Sequence, residues 1–283
     1  MGRIKEWEEL TIADNFLFQK VMQNPKLCKR LIEKLLLIKV KNIFYPTAEK
    51  TIENSPTQKG VRLDLYVETD RGVIIDIEMQ TTDDSPSLLP KRTRYYQSMI
   101  DQNVLAKGED YTKLKKSYVI FICTFDPFPK NNLKQYTFTN RCHEKSELDL
   151  KDGAVKIFLN TKGNIGKIDK DIEKFLAYID GKAAEGKFTK DVKAETERIK
   201  EHKETRLEYM TLMMELKEQW REGREEGRKE GIREGRKEGR EEGIIVSLKN
   251  VMKKLKLSLD EAMEWMEIPI NKRAIYKTKL LAE

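Results

Sequence analysis

Two carboxylates and one amide occupy alternate positions that could place them around a single divalent cation. Asp64 lies in Arg62-Leu-Asp-Leu65, and Glu78 and Gln80 lie in Ile75-Asp-Ile-Glu-Met-Gln80. Carboxylates are ligands that Mg²⁺ and Mn²⁺ favour, and such an ion can activate water for phosphodiester hydrolysis. These residue types therefore predict metal-assisted hydrolysis, provided that the fold brings the two carboxylates together.

Residues 61–80 form two alternating segments, and their apolar pattern fixes how they pair as a hairpin. A three-residue loop, Asp70-Arg71-Gly72, keeps both apolar sets on one face, with Gly72 in the left-handed conformation. The predicted apolar pairs are Leu63–Met79, Leu65–Ile77 and Val67–Ile75. The predicted pairs on the other face are Arg62–Gln80, Asp64–Glu78 and Tyr66–Asp76.

The pairing of Asp64 with Glu78 sets two like charges directly across from each other. Such carboxylates repel unless a positive group lies between them, so the pair indicates a divalent-cation site with Gln80 further along the same face. The alternative is a solvated polar face, which is what most acidic alternations are. A salt bridge from either carboxylate to a lysine or arginine would favour that alternative.

Length and composition restrict the classes of protein. The chain has 283 residues, enough for one substantial domain with an appendage, and its net charge of +7 permits an anionic partner such as nucleic acid. Three isolated cysteines and two histidines argue against a disulfide framework and most cysteine- or histidine-based sites. No segment is long and apolar enough to span a membrane, and residues 1–9 are too charged for a secretory signal. We therefore expect a cytoplasmic protein without membrane contact.

The elements around the hairpin predict an α/β core. Helical spacing covers residues 11–38, with a break at Asn24-Pro25, and residues 87–107, whereas residues 117–124 read as a strand buried on both faces. Further expected elements are strands at 42–46, 135–139 and 154–159, and a helix at 169–179. Strand, turn, strand, helix and strand in this order are typical of an α/β fold.

The helix that follows the hairpin carries candidates for phosphate contact. Arg92 and Tyr96 are four residues apart and therefore share one face of this helix. With Tyr95 they form a set of cationic and aromatic side chains close to the predicted carboxylates.

A composition change predicts three parts: residues 1–181, a charged segment at 182–243, and a small helical unit at 244–283. Glycine recurs at 223, 227, 231, 235, 239 and 243, and the eight basic and eight acidic residues of 221–243 cancel. Each glycine costs about 1 kcal/mol in a helix relative to alanine, so the segment is either a linker or a helix stabilised by a partner. A basic nucleic-acid arm is the least favoured interpretation, because the charges balance.

Several motifs follow one another in an order that resembles a known family. They are Asp14-Asn-Phe-Leu-Phe-Gln-Lys20, Arg62-Leu-Asp-Leu65, Ile75-Asp-Ile-Glu-Met-Gln80, Lys91-Arg-Thr-Arg-Tyr-Tyr96, and Lys107-Gly-Glu-Asp-Tyr111 leading into Tyr118-Val-Ile-Phe-Ile-Cys-Thr-Phe-Asp-Pro-Phe128. Together with the glycine repeat, they resemble the bacterial Rpn-type recombination-promoting nucleases, also labelled transposases, of the PD-(D/E)XK nuclease superfamily. The resemblance covers most of residues 11–180 and the repeat.

The resemblance implies a restriction-endonuclease-like mixed sheet flanked by helices and followed by a helical C-terminal region. It implies an endonuclease that uses Mg²⁺ or Mn²⁺ to cleave DNA and thereby promotes recombination. Asp64 and Glu78 would hold the metal, with the Met79 backbone carbonyl as a further ligand and Asp14 as an additional acid. Gln80 occupies the position of the superfamily's lysine, and because an amide can only orient water by hydrogen bonds, the general base is unassigned.

Two alternatives stay open at this point. The first is a nuclease-fold protein with little or no catalytic activity that acts in binding or assembly, with residues 182–283 as the surface for a homo-oligomer. The second is a transposase proper, which rests on the family label, because no module for recognising DNA ends is evident in the sequence.

Overall fold

The computed structural model describes residues 5–45, 50–52, 61–82 and 88–281. Its helices are α1 (Asn15–Met22), α2 (Pro25–Leu36), α3 (Leu88–Val104), α4 (Lys170–Ile179), α5 (Gly186–Glu201), α6 (Lys203–Leu255), α7 (Leu259–Trp265) and α8 (Ile270–Leu281). Its strands are β1 (Ile43–Phe44), β2 (Lys50–Ile52), β3 (Val61–Leu63), β4 (Leu65–Thr69), β5 (Ile74–Gln80), β6 (Ser117–Cys123), β7 (Gln135–Phe138) and β8 (Ala154–Asn160). No helix among the described residues combines the length and the apolar character needed to cross a membrane.

A mixed sheet with the order β1-β4-β5-β6-β8-β7 carries the hairpin. Strands β5, β6 and β8 are parallel, while β4 runs antiparallel to β5 and β7 antiparallel to β8. The β6 strand is buried almost along its whole length, as its continuous apolar sequence predicts. The α/β core expected from the sequence is therefore confirmed.

Helices cover both faces of this sheet. On one face α3 packs against β6, and Phe121, Phe158 and Tyr66 share a buried cluster with Met99 of α3. On the other face α1 contacts β5, and α1, α2, α4 and α5 pack against one another. Because Ile74 belongs to the α3 side, the alternate positions Asp76 and Glu78 also point to that side.

The predicted hairpin register is confirmed from Leu65 to Gly72. Leu65 pairs with Ile77, Tyr66 with Asp76 and Val67 with Ile75, and Gly72 has a φ of 71°. These pairs follow from the alternating apolar pattern and from a turn that needs a left-handed residue.

The prediction for the start of the hairpin is wrong. Leu63 pairs with Lys50 and Arg62 with Thr51 in a separate two-stranded sheet of β2 and β3, instead of with Met79 and Gln80. Asp64 forms a bend between β3 and β4, and the bend interrupts the alternation of faces. Leu63 is therefore buried in the cluster that contains Tyr66, on the face opposite to the predicted one.

The first compact unit continues past residue 181. The contacts divide the chain after Met210. Helix α5 belongs to the first unit because Phe188, Val192 and Ile199 are buried and α5 packs against α1, α2 and α4.

The glycine repeat lies within α6, so this segment is helical in the structure. In the second unit, the end of α6 shares a small apolar core with α7 and α8, including Leu248, Met263 and Tyr276. The predicted capping box is present, because Ser258 and Glu261 exchange hydrogen bonds at the start of α7.

Candidate metal centre

Three carboxyl groups are buried around the bend that begins β4. Asp64, Glu78 and Asp76 are 7%, 3% and 0% exposed. The Asp64 backbone N–H donates to Glu78 Oε1 at 2.8 Å, and the Met79 N–H donates to Asp64 Oδ2 at 3.2 Å. The structure thus brings Asp64 and Glu78 together, through contacts between side chain and backbone rather than through regular strand pairing.

Helix α1 contributes a residue to this centre that the sequence analysis missed. Gln19 is buried, and its Nε2 donates to Asp64 Oδ1 at 3.2 Å. This bond fixes one carboxylate oxygen, while the Met79 amide fixes the other. The signal in the sequence is weak: Gln19 is a polar residue next to Lys20 in an otherwise apolar stretch, and only the packing of α1 on β5 reveals that it is buried.

Helix α3 places Arg92 and Tyr96 beside the carboxylates, on the shared face that their spacing predicts. Arg92 Nη1 donates to Gln80 Oε1 at 2.7 Å, and Arg92 Nη2 donates to the Tyr96 hydroxyl at 3.0 Å. The guanidinium carbon lies 5.1 Å from the centre of the Phe121 ring. Because a guanidinium only donates, the first bond also fixes the Gln80 amide with its nitrogen toward the Thr82 carbonyl, 2.7 Å away.

Arg92 also forms a salt bridge with Glu78, and a contact of this kind favours the alternative of a solvated polar face. Its Nη2 lies 3.6 Å from Glu78 Oε2, beyond hydrogen-bond distance, and its side chain is 38% exposed. Burial first, and the charge of Asp64 second, still raise the pKa of Glu78 to about 8. The nearby charge of Arg92 lowers the pKa of Glu78, but burial and the charge of Asp64 together outweigh it.

Asp76 is a third buried acidic side chain beside Asp64 and Glu78. Burial, followed by the charges of Glu78 and Asp64, raises the pKa of Asp76 well above its ordinary value. Within the described part of the chain, neither Asp76 carboxylate oxygen receives a hydrogen bond. A bond between the Asp76 and Glu78 carboxyl groups forms only when one of them carries a proton, since two carboxylates are both acceptors.

The residues present fit a hard divalent cation. The Asp76 oxygens have no hydrogen-bond partner among the described residues, and the pKa of Glu78 is raised. Buried carboxyl groups show both features when no cation is bound to their oxygens. The described residues hold no cluster of three or more histidine, cysteine or acidic side chains arranged for a metal. Mg²⁺, however, is usually held by one or two carboxylates together with waters and substrate phosphates, so Asp64 and Glu78 are sufficient in number.

Two other predicted residues lie away from this arrangement. Asp14 Oδ1 is 2.6 Å from Lys5 Nζ, and its Oδ2 accepts from the Thr11 N–H at 2.8 Å. Asp14 thus anchors the chain that enters α1. Tyr95 is exposed on α3, whereas its neighbour Tyr96 packs on Phe121.

One family model, described as PD-(D/E)XK nuclease family transposase, matches residues 15–230. This chain belongs to that family. The resemblance noted from the motifs is confirmed, and the mixed sheet with its flanking helices is the restriction-endonuclease-like fold of PD-(D/E)XK proteins. Comparison with curated proteins and with solved structures finds no match.

Proposed function

We propose that this PD-(D/E)XK protein is an endonuclease that uses Mg²⁺ or Mn²⁺ to hydrolyse phosphodiester bonds of DNA and thereby promotes recombination. The observation that carries the proposal is the buried pair Asp64 and Glu78, in which burial and the charge of Asp64 raise the pKa of Glu78 although Arg92 lies 3.6 Å away. An arrangement of this kind costs stability in the absence of a cation, and such a cost is typical of a functional site.

In this proposal Asp64 and Glu78 hold the cation, and the Met79 backbone carbonyl is a further ligand. A divalent ion bound there would supply an acidified water and stabilise charge on the phosphate. Gln19 keeps the Asp64 carboxylate oriented through its hydrogen bond. Oε1 of Gln80 accepts one hydrogen bond from Arg92 and keeps a second lone pair, through which the amide can accept a hydrogen bond from a reacting water and orient it.

Arg92 supplies the positive charge that lysine gives at the position of Gln80 in the wider superfamily. Its guanidinium is held by Gln80 and Tyr96 and lies beside Glu78, at the partly exposed side of the centre. A planar guanidinium can donate to phosphate oxygens, so Arg92 is the residue that we expect to contact the scissile phosphate. Tyr96 orients Arg92, and Tyr95 is exposed for contact with a more distant part of the DNA.

Metal removal tests this function directly. We expect the purified protein to nick supercoiled plasmid DNA with Mg²⁺ or Mn²⁺, to lose this activity in EDTA, and to recover it when the ion is restored. Asp64→Ala serves as the inactive control, because it removes a ligand. Cleavage that persists unchanged in EDTA or in Asp64→Ala would refute the proposed centre.

Arg92→Lys separates the charge of Arg92 from its geometry. Lysine keeps the charge but lacks the planar fork whose two terminal nitrogens bind Gln80 and Tyr96 separately. We therefore expect a roughly 10-fold slower single-turnover cleavage for Arg92→Lys, and about 100-fold for Arg92→Gln. Arg94→Lys is the matched control, because Arg94 is exposed on the same helix. Wild-type rates in both Arg92 variants would exclude the role assigned to Arg92.

A binding or assembly protein with an inactive site is the second candidate. The Arg92–Glu78 contact and the glutamine at position 80 favour it. Intact DNA binding without cleavage under any divalent cation would support this candidate. A transposase proper agrees with the family description and would require strand transfer between DNA ends, which the same plasmid assay reveals as joined products.

A further inference from the structure

The second unit contains a groove of about 630 Å³ between α6 and α8. Its lining includes six cationic side chains: Lys229, Arg233, Arg236, Lys237, Arg240 and Lys272. The carboxylate in the lining, Glu241, already pairs with Lys279 at 2.6 Å. The groove is therefore strongly positive, although residues 221–243 have no net charge.

The helix separates charges that the sequence balances. Successive residues of an α-helix are turned by about 100°, so Lys229, Arg233, Arg236 and Arg240 fall within an arc of about 60°. Glu230, Glu234 and Glu238 are centred about 130° away from them on the same helix. The balance of charges that argued against nucleic-acid binding thus holds for composition and not for this face.

The cationic side chains are available to a ligand. Within the described chain, Arg236, Lys237, Arg240 and Lys272 have no salt-bridge partner at 4 Å or less, and all four are exposed. Lys229 pairs with Glu225 at 2.9 Å and Arg233 with Glu230 at 3.5 Å, both on the helix surface. Exposed pairs of this kind stabilise little, so an anion can replace them.

We propose that this groove is a second DNA-binding surface that holds the phosphodiester backbone. The segment from Lys229 to Arg240 is about 16 Å long, and over that length one DNA strand carries about five phosphates. The five cations along α6 that line the groove therefore match these phosphates in number. Three arginines add guanidinium groups that can bind phosphate through two hydrogen bonds. The choice of DNA over another polyanion rests on the proposed function.

The test measures binding of the full chain to a fluorescein-labelled 30-base-pair duplex in EDTA, by anisotropy, from 50 to 300 mM salt. The groove variant is Arg233→Gln/Arg236→Gln/Arg240→Gln. Its matched control is Arg221→Gln/Arg224→Gln/Arg228→Gln, which makes the same three changes in the same helix outside the groove lining. Circular dichroism establishes equal helix content for both variants.

We expect the groove variant to bind at least 10-fold more weakly than the control, and its slope of log Kd against log salt to fall by about 2.7. Equal DNA affinity of the two variants would overturn the proposal. Equal DNA affinity together with lost binding of a poly-glutamate peptide in the groove variant would instead identify an acidic protein partner. Because the assay contains EDTA, it gives the same answer whether or not the wild-type protein cleaves DNA with Mg²⁺, so the two proposals can fail separately.

Discussion

Glu78→Gln will slow Mg²⁺-dependent DNA cleavage about 100-fold and will stabilise the metal-free protein at pH 8. The loss of activity follows because an amide oxygen carries no charge and is a weaker ligand for a hard cation, while electrostatic terms of this kind are worth about 100-fold or more in rate. The gain in stability follows because the same substitution removes a buried negative charge that is 3% exposed.

The raised pKa of Glu78 makes the stability of the metal-free protein depend on pH, and this dependence is the reason that Glu78→Gln is expected to be stabilising at pH 8. The folded state raises the pKa of Glu78 from 4.5 to about 8, so between these values the folded protein binds more protons than the unfolded chain. The free energy of unfolding of the metal-free protein therefore falls as the pH rises through this window. Below pH 4.5 Glu78 does not destabilise the folded protein, because its carboxyl group is protonated in both the folded and the unfolded state.

Thermal unfolding in EDTA at pH 5 and pH 8 measures the difference in stability between the wild type and Glu78→Gln. We expect the melting temperature of the wild type to fall relative to Glu78→Gln as the pH rises, and Mg²⁺ to raise it more at pH 8, where protons compete less for the ligands. Glu147→Gln is the matched control, since Glu147 is exposed. A Glu78→Gln variant less stable than the wild type at both pH values would indicate that Arg92 fully compensates Glu78, and hence a structural role for the pair.

Phe121→Ala will cost about 3–5 kcal/mol of stability and will disturb the centre without touching a carboxylate. Phe121 is fully buried, its ring lies 5.9 Å from that of Phe158 and 6.0 Å from that of Tyr96, and Arg92 lies over it. The Phe121 ring therefore holds α3 in place by packing between this helix and the sheet. Removing it leaves a cavity and takes away the surface on which Arg92 and Tyr96 are oriented.

Urea unfolding at constant pH measures this cost against Phe44→Ala, whose ring is 55% exposed and should cost less than about 1 kcal/mol. Phe121→Leu provides a variant that folds if alanine does not. We expect slower cleavage by Phe121→Leu with unchanged Mg²⁺ affinity, because Asp64 and Glu78 keep their positions. Equal costs for Phe121→Ala and Phe44→Ala would show that the cluster around Phe121 does not hold α3.

The sequence predicts the centre of the hairpin well because two local requirements agree there. Alternating apolar residues and the left-handed Gly72 both select the pairs from Leu65 to Val67. At Asp64 a bond between its backbone N–H and the Glu78 carboxylate takes the place of a backbone pair. No periodic pattern reports a bond of this kind, so the strand break and the new face of Leu63 were not predictable.

The contacts of Gln19 and the extent of the first unit are two further features that the sequence pattern alone does not predict. The chain separates Gln19 from Asp64 by 45 residues, so only tertiary packing of α1 identifies it as a partner. The change toward glutamate and lysine from about Thr189 onward favours a boundary near that position. Phe188, Val192 and Ile199 nevertheless repeat at helical spacing, and this stripe holds α5 on the first unit.

The four-residue repeat of α6 differs in period from the helix that it forms. One inserted unit, such as Ile232-Arg-Glu-Gly235, would carry no net charge, yet it would advance the chain by about 6 Å and turn it by about 40°. Nine units would be needed to return to the original face. Related chains with more or fewer units would therefore present different arginines to α8, and the number of repeats, more than their composition, would decide whether a cationic groove is formed.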